Sequence, residues 1–225
     1  MHKKIVVVGA AGHVGSAVFK RLSEMDEDVV SLDRGDYDVA ARDILVPKSF
    51  SFDALIYCVG HCPRGGFLDA IKRPLSQYPF EWFRREIDMH IWGPFNAFQE
   101  FLPRALDNSH FVFMSSAATR LLQMPRDARP PIHIYHHLAA IAAEDALIEG
   151  MRMDPEVKKR NIKIHRIAPP AIGDSPFHNG SEGPRPPMTV TTTSVVDAIV
   201  KSLLVGDHVD LIFPDYPFEL YDPQD

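Results

Sequence analysis

Apolar positions along the chain fall into two alternating patterns. Ile5-Val6-Val7-Val8 is a continuous β-branched run, as expected of a strand buried on both faces. Val29 to Leu32, Ala54 to Val59, Phe111 to Met114, Ile162 to Ile167 and Asp210 to Phe213 are further apolar runs of strand length. Between them the spacing becomes helical. Ser16 to Leu22 follows the first strand, and Ile87, Ile91, Phe95, Phe98 and Leu102 recur one helical turn apart. Tyr135 to Met151 is alanine-rich and closes near Gly150, and Ser194 to Val205 forms the last helical stretch. Pro94 conflicts with the second of these, because an interior proline removes a hydrogen bond and kinks or restarts the helix. Alternating strands and helices predict a parallel sheet covered on both faces. With no internal repeat and no linker, the expectation is one α/β domain over 1–225.

Composition narrows the class. A chain of 225 residues with 45% hydrophobic and 24% charged residues suits a soluble globular domain with a sizeable core. Its formal charge of −6 and the lack of a basic run argue against nucleic acid or an anionic membrane as the main partner. Met1-His2-Lys3-Lys4 is basic, but the apolar run after it is too short for a signal peptide. No stretch approaches the roughly 20 apolar residues of a membrane helix, so a cytoplasmic location is expected. Two cysteines cannot build a disulfide framework. Of 19 prolines, six lie between Pro169 and Pro187, which predicts an irregular segment there.

The strand Ile5–Val8 runs into Gly9-Ala10-Ala11-Gly12-His13-Val14-Gly15, with glycines spaced as GxxGxxG. Such glycines permit a tight turn and a close backbone approach to a pyrophosphate lying on the amides of a helix N-terminus. A glycine turn can join strand to helix without any ligand, but here Asp33 follows at the next strand end, as a dinucleotide site requires. Asp33 would accept hydrogen bonds from the adenosine ribose and repel a 2′-phosphate, favouring NAD; alternatively it caps a turn. Arg34, just beyond, could instead hold the extra phosphate of NADP.

At this point the chain resembles a short-chain dehydrogenase/reductase from Ile5 to about Phe213. Asp43-Ile44 sits where that family has an Asp-hydrophobic pair near the adenine. Cys58-Val59-Gly60 is similar to its Asn-Ala-Gly segment, and Met114-Ser115-Ser116-Ala117 to its serine segment. Tyr135 stands where the family has Tyr-x-x-x-Lys, and Ile167-Ala168-Pro169-Pro170-Ala171-Ile172 resembles its Pro-Gly segment. The resemblance implies a single Rossmann-like doubly wound domain with a mostly parallel seven-stranded sheet and helices on both faces. It implies a nicotinamide cofactor at Gly9, Ala11, Gly12, His13, Val14, Gly15, Asp33, Arg34, Asp43, Ile44, Cys58, Val59, Gly60, Pro169, Ala171 and Ile172. It also implies a catalytic serine at Ser116, a proton-donating Tyr135, a small-molecule substrate, a substrate loop over about 173–193 and a homodimer or homotetramer.

Three departures touch the chemistry. Ala139 replaces the lysine, His90 replaces the asparagine ahead of Gly93, and Pro170 replaces a glycine. A free tyrosine titrates near 10, so without a neighbouring cation its phenolate is scarce at neutral pH. Neutral Tyr135 and Ser116 could still donate hydrogen bonds to an oxyanion. His136 and His137 point roughly 100° and 200° away from Tyr135 around a helix, which leaves His90 as the candidate proton carrier or a mere hydrogen-bonding residue of the helix. Cys58-Val59-Gly60-His61-Cys62 lacks the roughly four ligands of a closed zinc site, and the eleven histidines look scattered, so no metal is expected. Trp82, Trp92 and Phe95 read as pocket lining or as packing, at the core or between subunits. Three functions follow: an NAD(P)-dependent oxidoreductase on a hydroxyl/carbonyl pair, a non-redox enzyme (lyase, isomerase, cyclase or dehydratase), or a catalytically silent cofactor-binding sensor or partner protein.

Overall fold

The computed structural model describes residues 2–33, 36–38, 43–44, 49–60, 74–125, 135–173 and 189–213. Its strands are β1 (Lys4–Val8), β2 (Asp28–Leu32), β3 (Tyr37–Asp38), β4 (Asp43–Ile44), β5 (Phe52–Tyr57), β6 (Ala105–Met114), β7 (Lys163–Ala168), β8 (Ala171–Ile172), β9 (Thr189–Val190) and β10 (Asp210–Ile212). The helices are α1 (His13–Glu24), α2 (Phe80–Ile87), α3 (Gly93–Phe101), α4 (Tyr135–Met153), α5 (Pro155–Lys159) and α6 (Thr192–Ser202).

Six strands form one parallel sheet in the order β10-β7-β6-β5-β1-β2. Strand alternation explains why both faces are apolar. Val6 and Val8 join Leu55, Tyr57, Phe111 and Phe113 on one face, under Phe98 and Phe101 of α3 and Ile148 of α4. Ile5 and Val7 join Ile56 and Val112 on the other, under Val18 and Leu22 of α1 and Val195 and Ile199 of α6. Helices thus cover both faces, as the doubly wound pattern requires.

The expected seventh strand is absent among the described residues. Only residues 33–51 separate β2 from β5, too few for two helical crossovers and a strand between them. The stretch instead contains the antiparallel pair β3–β4, with Asp38 opposite Asp43, and β2 forms the edge of the main sheet.

The Pro94 conflict has a local solution. Asp88–Trp92 is a π-helical turn between α2 and α3, and the Gly93 amide donates to the Asp88 carbonyl five residues back. Pro94 then falls in the first turn of α3, where a missing N–H costs little. Tyr57 supports the turn by donating its hydroxyl to the Met89 carbonyl at 3.0 Å. Gly93 makes room for that phenol, since a Cβ there would stand 2.0 Å from the Tyr57 oxygen. No described helix is long and apolar enough to cross a membrane.

Candidate functional site

The glycine turn leaves β1 with Gly9 at φ +83°, a left-handed conformation that side chains rarely adopt. Its amide donates to Leu32 at the end of β2, which draws the turn against the strand that ends at Asp33. A Cβ on Gly9 would crowd the Cys58–Val59 backbone at 3.1–3.2 Å, and one on Gly15 would stand 2.1 Å from the Gly9 carbonyl oxygen. The strand, turn and helix therefore pack backbone to backbone, and only glycine fits. Gly12 is the N-cap of α1 and supplies no side chain to the first-turn amides. Those N–H groups lie at the positive end of the helix dipole, where negative charge is favoured.

Asp33 reaches back over this turn, its Oδ1 accepting the Ala11 N–H at 2.8 Å. The second carboxylate oxygen remains for another donor. His13 is pinned to the start of α6 by a 2.7 Å hydrogen bond between its Nε2 and Thr192 Oγ1, while Val14 packs against the second core cluster. Cys58 and Val59 lie over the turn with the Cys58 amide bonded to Val8, and burial pushes the Cys58 thiol up to about 12. That thiol is neither a ready nucleophile nor a ready metal ligand. Gly60 is exposed beyond them. Asp43 and Ile44 form β4, whereas Arg34, His61 and Cys62 lie outside the described residues.

At the carboxyl ends of β6 and β7, Ser116 caps a short 3-10 helix, its Oγ accepting the Ala118 N–H at 3.2 Å. Its own hydrogen stays available to donate. Ala117 donates to Pro169, which joins the two strand ends, and Ala171–Ile172 pairs with β9. Most of the proline-rich segment expected to form the substrate loop, 174–188, lies outside the described residues. Tyr135 opens α4 and is 43% exposed, and Ala139, one turn on, is also exposed.

His90 takes a different place. Its Nδ1 lies 2.9 Å from Glu144 and its Nε2 3.6 Å from Glu86, so carboxylates face both ring nitrogens. His137 approaches the same Glu86 oxygen at 2.9 Å and packs edge-on to the His90 ring at 5.6 Å. His137 and Glu144 share one stripe of α4, about 200° around the helix from Tyr135. The structure thus groups His90 with Glu86, His137 and Glu144. Burial pushes the Glu144 carboxyl up more than His90 draws it down. In Glu86 burial is outweighed by the His137 hydrogen bond and the histidine charges, and its carboxyl is held below the usual range. In His90 burial is outweighed by Glu144 and then Glu86, and the imidazole is held above its usual value. Sequence spacing hinted at this cluster only through Glu86 and His90, one helical turn apart. His136 stacks on Tyr78 at 3.6 Å, Tyr78 meets Trp82 at 5.7 Å, and Trp92 meets Phe95 at 6.2 Å, so the aromatics serve mainly in packing.

A parallel sheet between two helical layers, with a glycine turn after its first strand, is an architecture shared with solved short-chain dehydrogenases/reductases. Among curated proteins, the chain is 24% identical to an uncharacterized oxidoreductase of Staphylococcus epidermidis, covering 93% of this chain and 94% of that protein. Among solved structures, a small-chain dehydrogenase in complex with NADPH superposes with a TM-score of 0.72 at 15% identity, over 94% of this chain and 96% of that one. The aldohexose dehydrogenase of Thermoplasma acidophilum gives 0.68 at 17% identity, over 93% and 91%. No family model matches the sequence.

Proposed function

We propose that the protein is a nicotinamide-dinucleotide-dependent oxidoreductase acting on a hydroxyl/carbonyl pair of a small molecule in the cytoplasm. The observation that carries this reading is the Gly9–Gly15 turn, whose bare helix N-terminus and backbone-tight packing fit a pyrophosphate. Asp33 extends the site toward a ribose. Its Ala11 bond leaves one oxygen to accept a ribose hydroxyl, and its charge disfavours a 2′-phosphate, so NAD is preferred over NADP. When bound, the nicotinamide would supply the two-electron redox chemistry. The chain's own part is to hold and polarise the substrate oxygen through the Ser116 and Tyr135 hydroxyls. Ala139, one turn on, brings no cation to the Tyr135 face of α4. Exposed Phe80 and Trp92, 73% and 51% accessible, support a homodimer or homotetramer.

Ala139 also favours a second reading, a non-redox enzyme in which the same two hydroxyls steer a proton while the cofactor stays unchanged. Fluorescence titration with NADH and NADPH, followed by turnover over a panel of carbonyls, separates the two. NADH binding with oxidation that is lost in Tyr135→Phe supports the redox enzyme. Binding without any oxidation overturns it, and absence of binding overturns both. Ala139→Lys, which restores a cation one turn from Tyr135, is expected to raise carbonyl reduction tenfold or more.

A further inference from the structure

Two helices meet at ionisable side chains that the proposed reaction does not use. Glu86 closes the last turn of α2, and His90 lies in the π-helical turn that follows. His137 and Glu144 come from α4. Glu86 Oε2 lies 2.9 Å from His137 Nδ1 and 3.6 Å from His90 Nε2. One ligand atom from each of the three residues falls within 4.8 Å of the others. Around a tetrahedral ion with bonds of about 2.0–2.1 Å, neighbouring ligand atoms stand about 3.3 Å apart, between the two separations measured. Small side-chain shifts would complete such a set.

The surroundings are those of a metal ligand set. His90 turns its other nitrogen, Nδ1, to Glu144 Oε2 at 2.9 Å, the carboxylate–histidine arrangement that fixes which nitrogen is offered to an ion. Glu144 is completely buried, and its Oε1 has no hydrogen-bond partner. The buried Tyr78 hydroxyl, which feels the Glu86 charge, also has none. Buried polar atoms are ordinarily paired, so two unpaired ones beside a single cluster point to a polar guest.

We propose that Glu86, His90 and His137 bind one divalent transition-metal ion of the zinc class, with Glu144 orienting His90. Two imidazoles and one carboxylate suit zinc and leave its fourth position open. The ion would clamp the π-helical turn to the first turns of α4, two residues from Tyr135. This inference does not rest on the redox reading, because it concerns the opposite stripe of α4.

Full-length protein stripped with a chelator and titrated calorimetrically with zinc chloride provides the test. One zinc per chain is expected, with a rise in Tm that chelator reverses. Glu144→Gln, which keeps all three ligands, should weaken binding about 10–100-fold, and His137→Gln should weaken it further. His110→Gln, outside the cluster, should bind as wild type does. Less than 0.1 zinc per chain at saturating zinc overturns the proposal. So does equal affinity in wild type and His137→Gln, which would place the ion elsewhere. Cobalt(II) gives a readout independent of any variant folding. Strong visible bands of a four-coordinate site on wild type support the assignment, and the weak spectrum of the aqua ion overturns it.

Discussion

The Ser115 hydroxyl, buried at the end of β6, donates a 2.7 Å hydrogen bond to Asp145, ten residues along the helix that Tyr135 opens. Asp145 in turn meets Arg166 of β7 at 3.2 Å, and Arg166 meets Asp210 of β10 at 3.1 Å. The strand end that carries Ser116 is therefore tied to the helix that carries Tyr135. The distance between the two candidate hydroxyls depends on this tie. Ser115→Ala and Asp145→Ala are expected to couple by about 1 kcal/mol in a urea-denaturation double-mutant cycle, the worth of one such hydrogen bond. Strict additivity of the two variants would show that the tie contributes nothing.

The glycine turn makes a contrast with a helical glycine. Gly15→Ala places its methyl 2.1 Å from a backbone oxygen that cannot move without the turn, so a loss of about 3 kcal/mol or more and of NADH binding is expected. Gly150→Ala meets nothing within 4 Å inside α4, and should stabilise by about 0.5–1 kcal/mol. Thermal unfolding and NADH fluorescence of the two variants check both. A Gly15→Ala protein that binds NADH like wild type would contradict the packing argument.

Gly93 and Tyr57 should behave as a pair. Gly93→Ala alone drives a methyl into the Tyr57 phenol oxygen at 2.0 Å, at a cost of about 2–3 kcal/mol. Tyr57→Phe alone loses the bond to the Met89 carbonyl, about 1 kcal/mol. The double variant should be more stable than Gly93→Ala, since the clashing oxygen is gone. A double variant less stable than either single would disprove the steric origin.

Acid should weaken the sheet before the carboxylates titrate. His110 and His165 stack on adjacent strands with a 2.9 Å contact between Nδ1 and Nε2. Burial holds their pKa values down to about 4 and about 3, with nearby cations adding to the effect. The unfolded chain takes up these protons near pH 6.5, while the folded state resists until about pH 4. Stability therefore falls as pH drops from about 6.5 toward 4, and is fully present above that window. Urea midpoints at pH 7, 6 and 5 should decline in wild type and decline less in His165→Gln. Parallel slopes in the two proteins would remove His165 as the cause.

The framework was legible because it rests on local signals. The run Ile5–Val8, the three glycines and Asp33 define strand, turn and second strand within one unit, and each stands where the spacing placed it. Pro94 was legible as a conflict but not as its solution, because the π-helical turn depends on Tyr57 from a strand some 30 residues earlier. The Glu86–His90–His137–Glu144 cluster was hidden for the same reason: its halves lie about 50 residues apart and meet only when α4 packs against α2. Among the described residues the main sheet has six strands rather than seven, because the chain between β2 and β5 is short, which a strand count taken from the resemblance does not register.

The π-helical turn sets a phase. A π turn holds one residue more than an α turn, so everything after Trp92 is rotated by about 100° relative to an unbroken α-helix. Before the turn, the rod offers Glu86 to α4; after it, Phe98 and Phe101 sit in the sheet core. Were Asp88–Trp92 to close as ordinary α-helix with no residue removed, Phe98 and Phe101 would swing away from that core and Pro94 would stand in the interior of the rod. One inserted residue lets a single continuous rod serve a polar helix contact at one end and an apolar sheet at the other.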